Sequence, residues 1–376
     1  MVSADGEVQV RPTPFGEDAQ GYALLFERLG PPEQVLVAME ATGHYWKNLF
    51  AAVCAGGYAV ALLNPLRTRR FADEDLQRTK TDAIDALGIA RFAAQKRPAI
   101  TRLTDAATEE LRELVRLRDR VGAEIGDRVC QLHRLVDLGF PEFTRYVHTL
   151  DSQLAVALLR QYPTAQAFVR VGPTRVSKLV YDGRHRVGPE LARQLVDTAR
   201  ISVGAHHGPA YRVQVKYLCE DLETLRTRLR ELDADLERHL DDHEVGTLLT
   251  SIDGIGKLTA ARLVAELGDP AEFASASALA AYVGVIPALR QSGKGRTRSS
   301  LTSIGHRQLR QALWMPTLTA VQRNPWLCAY YQRLRSNGKP AKVALIAAMR
   351  KLLVAVYTVA RNRRPFIPHV PNKAQP

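Results

Sequence analysis

The chain has 376 residues, enough for two or three domains that each bury a core, and 46% of them are hydrophobic, which excludes wholesale disorder. Residues 273–376 carry 17 Lys and Arg but no Asp or Glu, so subtracting +17 from the total of +13 leaves −4 for the first 272 residues. A stretch this cationic favours a polyanion such as nucleic acid, while four widely spaced cysteines without a CxxC pair exclude a zinc motif and predict reduced thiols.

The N-terminal region has the pattern of an α/β domain. Residues 2–10 alternate around a turn and predict a hairpin, and residues 17–29 have helical spacing. Two short apolar runs, 34–39 and 58–63, predict buried strands on either side of a helix. A strand, a helix and a strand of this kind form a parallel βαβ unit, and functional sites in such sheets lie at the carboxyl ends of strands, where Glu40 falls.

A second pair of carboxylates follows at the start of a predicted helix. Thr81 is a plausible N-cap for a helix to about residue 95, and Asp82 and Asp85, three residues apart, lie on one face of it. Together with Glu40 they offer hard oxygen ligands that suit Mg²⁺ in phosphoryl transfer. The alternative is that both aspartates only complement the positive end of the helix dipole.

The middle of the chain predicts two long helices. Residues 108–138 and 211–243 are highly charged, with leucines three or four residues apart. The second segment has a continuous stripe of Leu218, Leu222, Leu225, Leu229, Leu232, Leu236 and Leu240. An antiparallel coiled coil, with dimerisation through it, is the simplest interpretation, and shorter helices connect the two segments.

The C-terminal region is predicted to be helical, over 277–283, 305–323, 325–334 and 340–360. Before it, the turn formed by Gly254, Gly256 and Lys257 precedes a helix and resembles a helix-hairpin-helix turn that presents backbone N–H groups to phosphate; an ordinary tight turn is the alternative. Charges interrupt the last helix, and no basic-then-apolar signal segment begins the chain. We therefore expect a soluble, cytoplasmic protein without a membrane contact.

Ser292 is the candidate nucleophile, because it stands between glycines in a cationic loop where arginines would stabilise charge on a phosphodiester. The alternative is a loop that contacts phosphate without chemistry, and Ser299, Ser300 and Ser303 are competitors by residue type. The candidate nucleic-acid contacts here are Lys294, Arg296, Arg298, His306, Arg307 and Arg310. For His306, a phosphate contact is preferred over a role as a general base.

These motifs together resemble those of DEDD-type transposases of the insertion-sequence family numbered one hundred and ten, the bridge-RNA-guided recombinases. The motifs that carry the resemblance are MEATG at 39–43, KTDAIDA at 80–86, IDGIG at 252–256, YVGVIP at 282–287, QSG at 291–293 and GHRQLR at 305–310. Their order and spacing agree along the whole chain.

The resemblance implies a RuvC-like, RNase H-fold domain, a coiled-coil insertion and a helical C-terminal transposase domain. We place these at residues 1–100, 101–243 and 244–365, followed by a tail at 366–376. Glu40, Asp82 and Asp85 would be three of four acids that bind Mg²⁺, and Ser292 would form a phosphoserine link to DNA. The partners implied are donor and target DNA, a structured guide RNA, and further copies of the chain in a dimer or tetramer.

The sequence departs from the family at its start. The family's first acid lies on a strand before the predicted hairpin, and no equivalent Asp is present here, so an N-terminal truncation and a weakened metal site are expected. The leading prediction is an RNA-guided DNA recombinase of an insertion sequence. The alternatives are a non-catalytic, degenerate nucleic-acid-binding protein and an RNase H-type nuclease that acts without the serine.

Overall fold

The computed structural model describes residues 1–74, 81–102, 104–290, 298–301 and 304–368, and for 287–290 and 298–301 it describes the backbone alone. Most of the described chain is helical. It divides into two compact units, Met1–Asp105 and Ala106–Pro376. The boundary between the two units lies near the predicted boundary at residue 100. The second unit contains both the long helices and the C-terminal region.

The first unit contains the predicted parallel βαβ arrangement. Its strands are β1 (Leu36–Glu40) and β2 (Ala59–Leu63), paired in parallel with Leu36 opposite Ala59 and Glu40 opposite Leu63. Its helices are α1 (Ala19–Leu29), α2 (Trp46–Ala55), α3 (Pro65–Glu74) and α4 (Asp82–Lys96). The predicted hairpin at the start is a single antiparallel bridge between Val2 and Val8.

Alternate side chains of the two strands pack on opposite faces of this small sheet. Val60 belongs to a cluster with Phe50 and Val53 of α2, whereas its neighbour Ala61 belongs to a cluster with Phe92 of α4. This is the period of two that a buried strand requires. The helices on both faces explain why the strands are continuously apolar in sequence.

Two long helices organise the second unit, α5 (Ala106–Gly139) and α10 (Pro209–Asp241). They run antiparallel, because Arg118 pairs with Asp233 at 2.5 Å and Arg128 with Asp221 at 2.9 Å. The antiparallel pairing agrees with the prediction; a coiled-coil dimer remains a prediction. The short helices between them are α6 (Gln153–Gln161), α7 (Ala165–Val171), α8 (Pro173–Ser177) and α9 (Pro189–Arg200).

Each end of the long helical pair is buried in a different core. Leu222 packs with Phe140 and Phe168 among the short helices, whereas Leu236 and Leu240 pack with the C-terminal helices. The C-terminal elements are α11 (Glu244–Leu249), α12 (Lys257–Leu267), α13 (Ala276–Val283), β3 (Pro287–Arg290), β4 (Arg298–Leu301), α14 (Arg307–Ala312), α15 (Trp314–Arg323), α16 (Pro325–Ser336) and α17 (Ala341–Asn362).

Two features of the C-terminal region differ from the prediction. The expected single helix over 305–323 is divided at Leu313, because Pro316 has no N–H to donate to a carbonyl one turn earlier. In addition, β3 and β4 form an antiparallel hairpin in which Pro287 pairs with Leu301 and Arg290 with Arg298. A Ser-, Gly- and Arg-rich segment without apolar alternation does not predict a hairpin.

Helix α17 is the central helix of this core. Among the described helices it is the one that is long and apolar enough to cross a membrane, but 56% of its most apolar window is buried in the protein. Ala348, Leu352 and Val356 are fully buried against neighbouring helices. The sequence prediction of a core helix is therefore confirmed by its packing.

Candidate functional site

Glu40 is held at the carboxyl end of β1 by two hydroxyl groups. Its Oε1 accepts a hydrogen bond from Thr42 Oγ1 and its Oε2 accepts one from Thr68 Oγ1, both at 2.5 Å. Thr68 lies on α3 and is almost buried, so the carboxylate has a fixed orientation. Sequence reasoning missed Thr68, because nothing local indicates that α3 returns to the end of β1.

Asp82 and Asp85 begin α4, as predicted. Thr81 is the N-cap, and its Oγ1 accepts a hydrogen bond from the Ile84 N–H at 3.3 Å. Both aspartates are exposed on one helical face, and in the described part of the chain no side chain donates to their carboxylates. They are therefore free to bind a cation, and they also complement the helix dipole.

The donor chemistry of these carboxylates fits a divalent cation, although the described residues contain no group of three His, Cys, Asp or Glu side chains close enough to hold a metal. Mg²⁺ is usually bound through one or two carboxylates, with water and substrate phosphates completing its six ligands. Among the described residues, Glu40, Asp82 and Asp85 therefore do not form a three-ligand metal site, and their role as metal ligands remains a prediction.

The segment that carries Ser292 lies in sequence between β3 and β4, which pair as an antiparallel hairpin. Ser292, Lys294 and Arg296 lie outside the described residues, and for Arg298 the backbone alone is described, in β4. The hairpin leaves the helical core between α13 and α14. The placement of the candidate serine in a loop therefore remains a prediction, and the strands β3 and β4 before and after this segment were not predicted from the sequence.

The two backbone segments at the base of this hairpin, before β3 and after β4, lie close together. A Cβ atom on Gly284 would lie 2.6 Å from the carbonyl oxygen of Ile304, and one on Gly305 would lie 2.6 Å from Cα of Gly284. Arg310 Nη1 donates to the Val283 carbonyl at 3.0 Å. Both glycines also have positive φ, which L-residues rarely adopt. Because of these short distances, a larger residue at either position would push the two backbone segments apart. Arg310, predicted to contact nucleic acid, is engaged in holding this base.

His306 joins the same base to α12. Its Nδ1 accepts from the Leu309 N–H at 3.2 Å as the N-cap of α14, and its Nε2 lies 3.1 Å from Glu266 Oε2. The Glu266 side chain is 9% exposed, and the hydrogen bond from His306 lowers its pKa below the ordinary value. Burial raises the pKa of the neighbouring Tyr282 hydroxyl. His306 thus has a structural partner on each ring nitrogen. The sequence analysis did not identify Glu266 as a partner, because Glu266 is distant from His306 in sequence.

The Gly-x-Gly turn combines one packed glycine with one open glycine. Gly254 has φ +103°, and its Cβ position is 2.6 Å from Ala320 of α15. Gly256 is the N-cap of α12 without a side-chain cap, and no atom lies within 4 Å of its Cβ position. Lys257 donates to Asp241 at 2.8 Å, which raises the pKa of the lysine. Packing accounts for Gly254, whereas Gly256 is exposed at the start of α12 and has open space at its Cβ position.

Arg307 is exposed at the start of α14 and has no acidic partner among the described residues, so it is available to a phosphate. The three carboxylates belong to the first unit, and the hairpin, Arg307 and the Gly-x-Gly turn belong to the second.

Comparison with known proteins matches both units to transposases. Residues 1–141 match the model of the DEDD transposase domain of the IS110 family, described as "Transposase". Residues 246–332 match the model described as "Transposase IS116/IS110/IS902 family". The first match contains Glu40, Asp82 and Asp85, and the second contains Ser292.

Several curated proteins are similar along most of the chain. The insertion element IS110 43.6 kDa protein of Streptomyces coelicolor is 29% identical over 81% of this chain and 76% of its own length. The insertion element IS116 44.8 kDa protein of Streptomyces clavuligerus is 26% identical over 98% and 93%. The pilin gene-inverting protein of Moraxella bovis is 26% identical over 87% and 80%. With both domain models matched in order, the chain belongs to the IS110 family of DEDD transposases.

Proposed function

We propose that this protein is the transposase of an insertion sequence, a site-specific recombinase that cuts and rejoins DNA through Ser292. The observation that carries the proposal is the pair of family matches, one over the three carboxylates and one over the candidate serine. The name of the pilin gene-inverting protein, which matches most of this chain, describes rearrangement of DNA in that relative and supports recombination here.

The fixed base of the hairpin supports a role for its loop. A nucleophile must be held close to the phosphorus, because misplacement by about 1 Å can reduce a rate about 100-fold. The two backbone segments at the base of the hairpin are fixed by Arg310, by His306 and by the close packing of Gly284 and Gly305. Residues 273–376 are positively charged and contain no Asp or Glu, so they would attract the DNA backbone to the same region.

The proposed step is a transesterification. The Ser292 oxygen forms a bond to phosphorus, the bond from phosphorus to the departing sugar oxygen breaks, and the serine proton passes to a base while the sugar oxygen gains a proton. The phosphodiester energy is retained in the phosphoserine link, so the exchanged strand end rejoins by the reverse reaction. Arg296, Arg298 and Lys294 would stabilise the negative charge that develops.

Glu40, Asp82 and Asp85 are proposed to hold Mg²⁺, which would supply electrostatic stabilisation of the phosphate oxygens when bound. Support comes from the oriented Glu40 carboxylate, from two free aspartates, and from the DEDD domain match. Thr42 and Thr68 keep the Glu40 carboxylate in one orientation. The role of the protein here is therefore to present preoriented oxygen ligands.

We further propose that the exposed Gly256 turn, Lys257 and Arg307 contact the nucleic-acid backbone. A structured guide RNA, a dimer or tetramer of the chain and a cytoplasmic location complete the proposal, and their support is the resemblance of the motifs to bridge-RNA-guided recombinases. Donor and target DNA are the proposed substrates.

The test of the nucleophile is a Ser292→Ala variant in a recombination assay with donor DNA, target DNA and the flanking non-coding RNA. Strand exchange and the covalent protein–DNA adduct should both disappear, with DNA binding retained. Ser299→Ala, Ser300→Ala and Ser303→Ala are the matched controls and should keep the adduct. An adduct that persists in Ser292→Ala would refute the assignment, and hydrolysis without any adduct would favour the RNase H-type nuclease.

The test of the metal ligands is Asp82→Asn, which removes one charge without changing the side-chain size. We expect recombination to be lost, nucleic-acid binding to be retained, and activity to depend on added Mg²⁺. Asp73→Asn, at the end of α3, is the control and should be active. Recombination at the wild-type rate in Asp82→Asn would remove Asp82 from the site.

A further inference from the structure

The short-helix region carries a second concentration of positive charge. Residues 140–217 contain 11 Lys and Arg and 5 Asp and Glu, a formal charge of +6. The total of −4 for residues 1–272 conceals this charge because the adjoining parts of the long helices are acidic. We call residues 140–217 the cationic lobe. It is separate in sequence from the acid-free C-terminal region.

A pocket of about 370 Å³ lies in this lobe, between the α6–α7 connection and the beginning of α10. Its basic lining residues are Arg160, Arg170, Arg212 and Lys216. Arg212 and Lys216 are four residues apart and therefore share one face of α10. Helix α6 ends just before Pro163, which cannot continue a helix. Arg160, in the last turn of α6, and Arg170, in the last turn of α7, line the same pocket.

The positive charge at the pocket is only partly neutralised. Arg160 pairs with Glu223 at 2.6 Å, and Lys216 is 3.7 Å from Glu220. In the described parts of the chain, Arg170 and Arg212 have no carboxylate within ion-pair distance. Four cations thus face two acids, and two guanidinium groups are available to an anion.

The pocket also contains a buried hydroxyl group without a partner. Thr164 is 1% exposed and lines the pocket, and its Oγ1 has no hydrogen-bond partner. It occupies the N-cap position of α7 but makes no capping bond. Buried polar groups are nearly always hydrogen-bonded, so the unpartnered hydroxyl of this pocket-lining residue retains an unused capacity to bond a ligand.

The remaining lining is largely apolar. Tyr162, Pro163 and Val171 contribute to it on one side and Val213 on the other. Small-molecule sites are typically about 300–1,000 Å³, so this volume suits a single nucleotide better than a duplex. An apolar lining beside free guanidinium groups is the combination that receives an unstacked base and its phosphate.

We propose that this pocket binds one unstacked nucleotide of a single-stranded nucleic acid, apart from the reacting strands at Ser292. The base occupies the apolar lining and is hydrogen-bonded by Thr164, and its phosphate is bound by Arg170 and Arg212. The inference is independent of the nucleophile, because it needs no chemistry at Ser292. It assigns the cationic lobe the task of holding an unpaired region of RNA or DNA.

The experiment compares binding of the full chain with that of an Arg170→Ala/Arg212→Ala double variant by fluorescence anisotropy. The probes are twelve-residue single-stranded RNA and DNA of one sequence, and the corresponding DNA duplex. We expect at least tenfold weaker single-strand binding and a salt slope smaller by about 1–2, with little change for the duplex. The tighter of the two single strands in the wild-type protein identifies the source of the nucleotide.

The matched control is Arg175→Ala/Arg186→Ala, which removes two exposed arginines of the same lobe that do not line the pocket. An equal loss in this control would show general charge attraction and overturn the pocket. A second measurement uses Thr164→Val, which keeps the side-chain shape, with photo-crosslinking of a thiouridine-containing RNA and an iododeoxyuridine-containing DNA. Wild-type protein should crosslink at Tyr162 or Val213, and crosslinks elsewhere, or none that respond to Thr164→Val, would refute the assignment.

The result can be separated from the proposed function. Ser292→Ala should bind single strands as the wild type does, and the double arginine variant should still form an adduct with DNA at high protein concentration. Loss of the adduct with normal strand binding would concern Ser292 alone.

Discussion

Replacing Gly254 by Ala tests whether the Gly-x-Gly turn is a packing feature or a phosphate site. The added Cβ would lie 2.6 Å from Cβ of Ala320, 3.0 Å from its Cα and 3.1 Å from its nitrogen. These are backbone and fully buried atoms of α15, which cannot rotate away. The variant must therefore either move α15 or open the turn.

The magnitude follows from two separate costs. Overpacking a core typically costs about 1–3 kcal/mol, and forcing an L-residue to the φ of +103° found at Gly254 costs roughly 1–2 kcal/mol. The sum is about 2–5 kcal/mol. At roughly 2–4 °C per kcal/mol for a unit of this size, the unfolding transition should fall by about 4–20 °C.

Gly256→Ala is the matched control in the same turn. Gly256 has no atom within 4 Å of its Cβ position and lacks a positive φ, so its variant should lose less than about 1 kcal/mol, mainly from a poorer N-cap. Thermal unfolding of both full-length variants measures the difference. Equal transition temperatures for Gly254→Ala and the wild type would refute the packing argument. Selective loss of DNA affinity in Gly256→Ala would support phosphate contacts at the start of α12.

Two further predictions concern the second unit. The hydrogen bond from His306 lowers the pKa of Glu266 below its ordinary value of 4.5, so its stabilisation is fully present above that pH and is lost as the pH falls through the lowered pKa. In urea unfolding, the wild type should have a larger free energy of unfolding than Glu266→Gln at pH 7, and this difference should become smaller at pH 4. A difference that is independent of pH would contradict the assignment. Leu222→Ala should cost about 2–5 kcal/mol because Leu222 is fully buried, whereas Leu229→Ala, in the same stripe but partly exposed, should cost clearly less. Equal losses in urea unfolding would show that the stripe is buried uniformly.

Several local features could be read from the sequence alone. The apolar runs before Glu40 and before Asn64 predicted two parallel strands, and Thr81 predicted the start of α4 with Asp82 and Asp85 on one face. The leucine stripe predicted α10 and its antiparallel partner. Each of these rests on the period of apolar side chains or on a cap within a few residues, and such signals are local.

The contacts that define the candidate sites could not be read in the same way. Thr68 reaches Glu40 across 28 residues, and Glu266 lies 40 residues before His306. The pocket depends on Arg170 and Arg212 approaching each other after α8 and α9 intervene. Periodicity shows which side of a helix is apolar, but not which other element covers it.

The sequence thus determined the two parallel strands, the long helices, the start of α4 at Asp82 and the charge of the C-terminal region. Tertiary structure decided that His306 and Arg310 hold the base of the hairpin, that Gly254 is packed while Gly256 is open, and that the cationic lobe contains a pocket. The physical reason is that a side chain's partners are set by the packing of whole helices, which depends on many distant apolar contacts at once.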